Sequence, residues 1–326
     1  MTAPPVMPSR ALPLAMLLMV ALVYGLVFQF NKMARDAAVP EFAYVFWQTL
    51  LGGVVLLLLT LLVGRGPGRR LGHLKAYVAV GFLGIAFPIC LLTNVAGEVD
   101  PGVLTTVLAL SPPLTYLFSV IARLDRFRWL GVLGVVLGFL GILIIVGPSN
   151  ALPSPEHAGW YLLALLAPTS FAMTNVTAAL LRPPETSPGG MASGALLATA
   201  AIMAVVMLAT GTWYQPLSAA PEGTILSQGD WAILGAAFVN IIAITLFFEI
   251  VRIAGPVFFA QFNYLAVVAA IFWAWLFFGS LVDWSVWLAL AVMVAGVLLV
   301  TMTGPRSAPQ VAAGDPGQGT PGKGGI

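Results

Sequence analysis

Long apolar stretches alternate with short polar breaks along most of the chain. An α-helix rises about 1.5 Å per residue, so roughly 20 apolar residues cross a hydrocarbon core of about 30 Å. The alternating short strands that are typical of a transmembrane barrel do not occur in the sequence. We therefore predict an all-α membrane protein with ten transmembrane helices, at residues 12–31, 41–63, 76–97, 102–122, 127–147, 159–181, 190–210, 231–251, 256–279 and 284–303.

Composition and charge agree with this prediction. Hydrophobic residues make up 60% of the chain and charged residues 8%, whereas soluble domains have about 45–50% and about 25%. If the N-terminus is cytoplasmic, all but two of the 14 Lys and Arg residues fall on the cytoplasmic side, the exceptions being Lys32 and Arg35. The positive-inside rule therefore favours a multi-pass protein of the cytoplasmic (inner) membrane with both termini in the cytoplasm.

The two halves of the chain look like duplicates. Residues 76–146, shifted by 155 positions, match residues 231–301 without a gap, and the hydropathy breaks coincide. Pro101 then matches Pro256, and Gly141 matches Gly296. Each half holds five spans, an odd number, so the second half must be inverted relative to the first. Such inverted repeats are typical of carriers that work by alternating access.

These patterns divide the chain into five segments. Residues 304–326 contain many glycines and prolines, cannot bury an apolar core, and are predicted to be a disordered cytoplasmic tail. The other segments are a cytoplasmic N-terminal segment (1–11), a first five-helix repeat (12–147), a linker (148–158) and a second five-helix repeat (159–303).

Several short motifs are similar to those of a known family. They are Tyr24-Gly25, Leu110-Ser111-Pro112-Pro113, Ala254-Gly255-Pro256-Val257, and the glycine-containing apolar runs 131–146 and 288–300. With them, residues 12–303 resemble an EamA-type member of the drug/metabolite transporter superfamily. The resemblance implies ten spans in two inverted repeats, and export of amino acids, related metabolites or amphipathic drugs. The chain departs from the family in having Leu124-Asp125 and Gly279-Ser280 where a Gly-Glu pair is usual.

A substrate cavity is predicted where prolines interrupt spans 3, 4 and 6 at similar depth. A proline in a helix leaves carbonyls unpaired, which is tolerated in a membrane only against protein or a water-filled cavity. Polar side chains inside spans are costly in lipid and are expected to face the same interior. Packing kinks, interhelical hydrogen bonds and interfacial anchoring of aromatic residues are the alternatives. The predicted cavity residues are Tyr24, Gln29, Pro88, Asn94, Ser111, Pro112, Tyr116, Thr169, Ser170, Asn175, Asn240, Gln261, Asn263 and Tyr264.

One acidic residue and one glycine face complete the candidate features. Apart from residues that begin a predicted span, Glu249 is the only acidic residue within the ten spans. Arg252 follows three residues later, at a spacing that permits an ion pair. We interpret the pair as a gate or coupling candidate, with a structural ion pair as the alternative. The glycine face (Gly131, Gly134, Gly138 and Gly141) predicts close helix packing, either within the bundle or in a homodimer.

The sequence thus predicts a carrier whose partners are a small-molecule substrate and the lipid bilayer. No Lys or Arg lies at mid-depth, which argues against phosphorylated solutes. We predict no cofactor, metal or nucleic-acid binding, because His73 and His157 lie in loops and the basic residues are spread over short loops. A non-transporting scaffold, a channel and an intramembrane enzyme are the alternative functions.

Overall fold

The structure, a computed structural model, describes residues 11–95, 98, 104, 107–146, 158–183, 185–217, 225–278 and 284–303. All regular elements within these ranges are helical. The predicted N-terminal segment and linker lie outside the described residues except for Ala11 and Ala158, and the predicted tail lies outside them entirely.

The helices follow the predicted spans. They are α1 (Ala11–Asp36), α2 (Glu41–Leu62), α3 (Leu71–Gly81), a π-helical turn (Phe82–Ala86), α4 (Phe87–Val95), α5 (Ser111–Ile121), α6 (Trp129–Val146), α7 (Ala158–Ala164), α8 (Leu166–Leu181), α9 (Pro188–Thr210), α10 (Gln228–Ala254), α11 (Pro256–Ala260), α12 (Phe262–Phe278) and α13 (Trp284–Thr303).

Seven helical segments of the described chain are long and apolar enough to cross a membrane, and two shorter apolar helices, Trp129–Ile144 and Trp287–Val300, accompany them. The seven are Ala11–Asp36, Glu41–Leu62, Leu71–Val95, Gly159–Leu181, Pro188–Thr210, Gln228–Ala254 and Pro256–Phe277. The prediction of an all-α, multi-pass membrane protein is therefore confirmed. The first helix ends five residues later than predicted, because the polar turn after Phe30 continues the helix up to Asp36.

Helices from the two halves of the chain pack against each other throughout the bundle. The helix α1 packs against α10 and α12, and α8 packs against α3 and α5. Similarly, α2 packs against α10, and α9 packs against α3. Two further pairs, α2 with α9 and α6 with α13, join the halves directly. The bundle therefore consists of two interleaved halves rather than two separate domains.

The crossing of α6 and α13 brings two backbones into contact. A Cβ atom added to Gly134 would lie 2.6 Å from the Gly296 carbonyl oxygen, and one added to Gly141 would lie 3.1 Å from that of Ala289. Small residues are needed at such a crossing because any side chain would separate the helices. Much of the predicted glycine face is thus used for packing inside the chain.

The two ends of the bundle differ in charge. One end, which we call the basic end, consists of loops 63–70, 122–128 and 182–187 and of Gly255. At this end the Ser187 hydroxyl donates a 2.9 Å hydrogen bond to the Arg65 carbonyl. At the opposite end, Asp230 accepts hydrogen bonds from the Tyr214 hydroxyl (3.1 Å) and the Ser227 amide (3.0 Å). These contacts fix residues 214–217 over the start of α10.

We expect Gly296→Ala to lower the free energy of unfolding by about 1–3 kcal/mol, because its methyl group would overlap the Gly134 carbonyl and force the helices apart. Thermal unfolding of the detergent-solubilised protein measures the effect. Gly72→Ala is the matched control, since an added Cβ there meets nothing within 4 Å. Equal melting temperatures for the two variants would contradict this account of the crossing.

Candidate functional site

An irregular turn precedes each of the prolines that interrupt the spans. The π-helical turn Phe82–Ala86 comes before Pro88, and the turn at Leu165 comes before Pro168. The helix α5 begins only at Ser111, directly before Pro112. Proline lacks an amide N–H and its ring collides with the preceding turn, so regular i to i−4 hydrogen bonding fails at these places. Three helices thus expose backbone carbonyls inside the bundle.

The hydroxyl of Ser170 replaces one lost backbone donor. In the π-helical turn the Phe87 amide donates to the Phe82 carbonyl, and Pro88, the next residue, has no N–H to offer the carbonyl of Leu83. The Ser170 Oγ, on α8, donates a 2.6 Å hydrogen bond to this carbonyl. Ser170 therefore attaches the second half of the chain to the interrupted helix of the first half.

A second buried contact joins α8 to α5. The Nδ2 atom of Asn175 donates a 3.1 Å hydrogen bond to the Thr115 Oγ1, which donates at 2.8 Å to the Ser111 carbonyl. Thr115 was not among the predicted site residues. The sequence pattern that could have predicted Thr115 is the spacing of Ser111, Thr115 and Ser119, which places their hydroxyls on one face of α5. All three side chains are fully buried.

Ser111 and Gln261 present buried oxygens that lack partners. Both residues have 0% exposure, and within the described parts of the chain the Ser111 Oγ and Gln261 Oε1 atoms have no hydrogen-bond partner. Gln261 lies at the break between α11 and α12, where its amide donates at 3.4 Å to the Val257 carbonyl. Other buried side-chain atoms, among them the Ser119 Oγ on the same helix, also lack partners. Ser111 and Gln261 differ in lying at helix breaks, which makes them candidates for binding a polar group.

The two predicted tyrosines on these helices make structural contacts. Tyr264 is fully buried, its ring covers Gly138, and its hydroxyl donates at 3.2 Å to the Val135 carbonyl. The Arg128 amide donates a 2.8 Å hydrogen bond to the Tyr116 hydroxyl. This bond holds the loop after α5. In this conformation neither hydroxyl faces a solvated cavity.

The remaining predicted residues are distributed around the bundle. Gln29 donates to the Ala270 carbonyl (3.1 Å), Asn240 donates to the Gln48 side chain (2.9 Å), and Asn263 donates to the Ala260 carbonyl (3.1 Å). Thr169 donates within its own helix to the Leu165 carbonyl. Pro88 and Pro112 are buried. Tyr24 is half-buried and packs edge-on against the Phe262 ring.

Asn94 lies next to the last residue of α4. It is exposed, and its Nδ2 donates at 2.6 Å to the carbonyl of Cys90 in the same helix. Its place in the cavity lining stays a prediction.

Glu249 and Arg252 form the predicted ion pair at the basic end. The Arg252 Nε donates at 2.7 Å to Glu249 Oε2, and a second guanidinium nitrogen donates to Oε1. Glu249 also lines a cleft of about 380 Å³ together with Thr60, Arg65 and Ser187. A bidentate pair of this kind fixes the orientation of both side chains.

Arg182 was missed by the sequence analysis and lies beside this pair. Its guanidinium donates to the carbonyls of Phe248 (3.3 Å) and Thr186 (3.0 Å), which connects the end of α8 to α10. Burial and the nearby charge of Arg252 lower the pKa of Arg182, whereas Glu249 raises it. Glu249 therefore lies within electrostatic range of two guanidinium groups.

The short helix α11 closes the basic end of the bundle. It packs against both α5 and α8. The ring of Phe259 on α11 contacts Phe247 of α10 and Phe262 of α12, and Phe262 in turn contacts Tyr24 of α1.

The comparison with family models bears on the function of this bundle. The model of the EamA-like transporter family matches residues 11–147 and 158–302. This chain belongs to the EamA-like transporter family. The predicted family resemblance is thereby confirmed, and the chain is assigned to transport across a membrane rather than to an enzyme family.

Relatives of this EamA-like chain extend the comparison. The "Uncharacterized inner membrane transporter YedA" of Escherichia coli K12 is 28% identical over 257 residues, which are 78% of this chain and 79% of the relative. The YedA protein of E. coli O157:H7 matches equally well. A solved crystal structure aligns with a TM-score of 0.71 and 20% identity over 90% of this chain and 99% of that one. That likeness concerns the fold alone.

For this EamA-like bundle we expect Ser170→Ala to lower the free energy of unfolding by about 1–3 kcal/mol, because the Leu83 carbonyl would stay buried without a donor. Thr169→Val is the control: it is the adjacent residue and its hydroxyl bonds only within its own helix. Chemical or thermal unfolding of both variants makes the comparison. A loss for Thr169→Val as large as that for Ser170→Ala would rule out the proposed role of the hydroxyl.

Proposed function

We propose that this chain is a secondary transporter that moves a small solute across the cytoplasmic membrane by alternating access. In this proposal ten spans form two inverted five-helix repeats, with the predicted fourth span completed by residues before Ser111. The observation that carries the proposal is the match of the EamA-like transporter family model to residues 11–147 and 158–302. In such a carrier, the packing of α11 against α5 and α8 would form the closed end.

The exchange of packing partners supports the inverted repeat. Suppose that spans 1–5 correspond to spans 6–10. The contact of α1 with α10 then corresponds to the contact of α8 with α3, and both are present. In the same way, the contact of α1 with α12 corresponds to the contact of α8 with α5. The same relation holds between residues. A shift of 155 positions turns the Gly134–Gly296 contact into the Ala289–Gly141 contact, which is also present. Both observations are expected of a pseudo-two-fold axis between the halves.

The polar residues of the interior support a substrate without phosphate groups. The groups that reach the helix breaks are amides, hydroxyls and backbone carbonyls, and charged side chains lie toward the ends of the described helices. We infer that the substrate is an amino acid, a related small metabolite or an amphipathic drug. The resemblance favours this class and the export direction, and the relative described as an inner membrane transporter favours transport itself.

Purified protein in liposomes should show saturable flux of a responsive solute, with competition by related solutes, because a carrier has one site that is exposed to each side in turn. A panel of amino acids and amphipathic cations provides the substrates. Flux that rises linearly with concentration would indicate a channel, and no flux of any solute would favour a scaffold.

The proposed orientation places residue 326 in the cytoplasm, as the charge distribution indicates. A reporter that is active only in the cytoplasm should be active when it is fused after residue 326. A reporter that is active only in the periplasm should be inactive at that position. A fusion within the segment 212–217 should show the reverse. A periplasmic signal from the C-terminal fusion would contradict both the even span number and the inverted repeat.

Glu249→Gln should slow the cycle by about two- to fivefold, since a partly exposed ion pair contributes about 0.2–1 kcal/mol to the conformation that contains it. We expect the ionised pair to act as a gate rather than as a proton carrier. Wild-type flux should therefore not be driven by a pH gradient alone. Accumulation of solute under a pH gradient that Glu249→Gln abolishes would instead assign proton coupling to this carboxyl.

A further inference from the structure

The helix α5 packs against α11, and an unpartnered buried oxygen lies at the start of α5 (Ser111 Oγ) and another directly after α11 (Gln261 Oε1). Ala109 and Tyr264 belong to one buried cluster, whereas Tyr116 and Val257 belong to another. This pattern is expected if segments 109–116 and 257–264 run antiparallel. In that arrangement Gln261 is at a similar depth to positions 111–113.

Backbone carbonyls add further oxygens at this level. Pro112 and Pro113 have no N–H, so the carbonyls of Leu108 and Ala109 lack their helical donors four residues on. The two prolines also remove amide donors from the first turn of α5, which weakens its attraction for anions.

The set is rich in oxygen acceptors and carries no formal charge. Gln261 uses its amide nitrogen on the Val257 carbonyl, which directs Oε1 away from that bond. Carbonyl and amide oxygens at interrupted membrane helices can replace the hydration shell of a monovalent cation. A divalent cation would need carboxylates to balance its charge, and none of these four groups is one.

We propose that the Ser111 hydroxyl, the Gln261 side-chain carbonyl and the backbone carbonyls of Leu108 and Ala109 bind a dehydrated sodium ion. The site lies where α11, which packs against α10 and α12, meets α5. A bound ion therefore joins the two helix groups whose contact closes the basic end. Binding does not depend on the proposed transport function, although within it the ion would stabilise the conformation that is closed at this end.

Thermal unfolding in detergent tests the proposal, with NaCl, KCl and choline chloride compared at equal ionic strength. We expect sodium at about ten times its Kd to raise the melting temperature by about 3 °C over choline. Ser111→Ala and Gln261→Met should each lose most of this shift. Ser193→Ala is the control, because Ser193 is equally buried but donates to the Gly190 carbonyl of its own helix, and it should keep the full shift.

Three results would overturn the site: equal melting temperatures in sodium and choline, a shift as large in potassium as in sodium, or a full sodium shift in both Ser111→Ala and Gln261→Met. Flux measurements on the same preparation separate the two proposals. A sodium shift without saturable flux refutes the transport function and leaves the site, whereas saturable flux without a sodium shift refutes the site and leaves the transport function.

Discussion

Backbone hydrogen bonding in an apolar environment is the constraint on which the arrangement of this bundle depends. In lipid an unpaired N–H or C=O group costs several kcal/mol, so a spanning segment must satisfy its own backbone or obtain partners from neighbouring helices. Pro88, Pro112 and Pro168 each remove a donor from the middle of a span. The partners that replace these donors determine which helices lie together, as the Ser170 hydroxyl does when it binds the Leu83 carbonyl.

The same constraint explains why the candidate site lies where it does. Helix breaks expose carbonyls, and exposed carbonyls need hydroxyls, amides, water or ions beside them. The buried chain from Asn175 through Thr115 to the Ser111 carbonyl joins α8 to α5 beside this break. On the side of α11, Ser111 and Gln261 keep unused oxygens. Both residues lie at helix breaks, which makes their oxygens candidates for binding a polar group or an ion.

The hydropathy pattern predicted the helices well because spanning a bilayer demands a fixed length of apolar sequence. It could not predict how each helix is rotated about its axis, since many of these helices are apolar on all sides. Tyr264 illustrates the difference. Its position in the sequence predicted a place in the cavity lining. In the structure its ring packs over Gly138, and its hydroxyl donates a hydrogen bond to the Val135 carbonyl. Likewise, nothing local to Arg182 shows that it reaches the backbone of α10.

The contact between α6 and α13 has a mechanical consequence. Its two backbone approaches, at positions 134 and 141 of α6, lie equally far from the ends of Trp129–Val146. On α13 the matching positions 289 and 296 lie near the centre of Trp284–Thr303. Two contacts about two helical turns apart fix the crossing angle of the helices as well as their separation. The pair therefore resists rocking about its crossing point, and any movement of the bundle carries α6 and α13 together as one rigid unit.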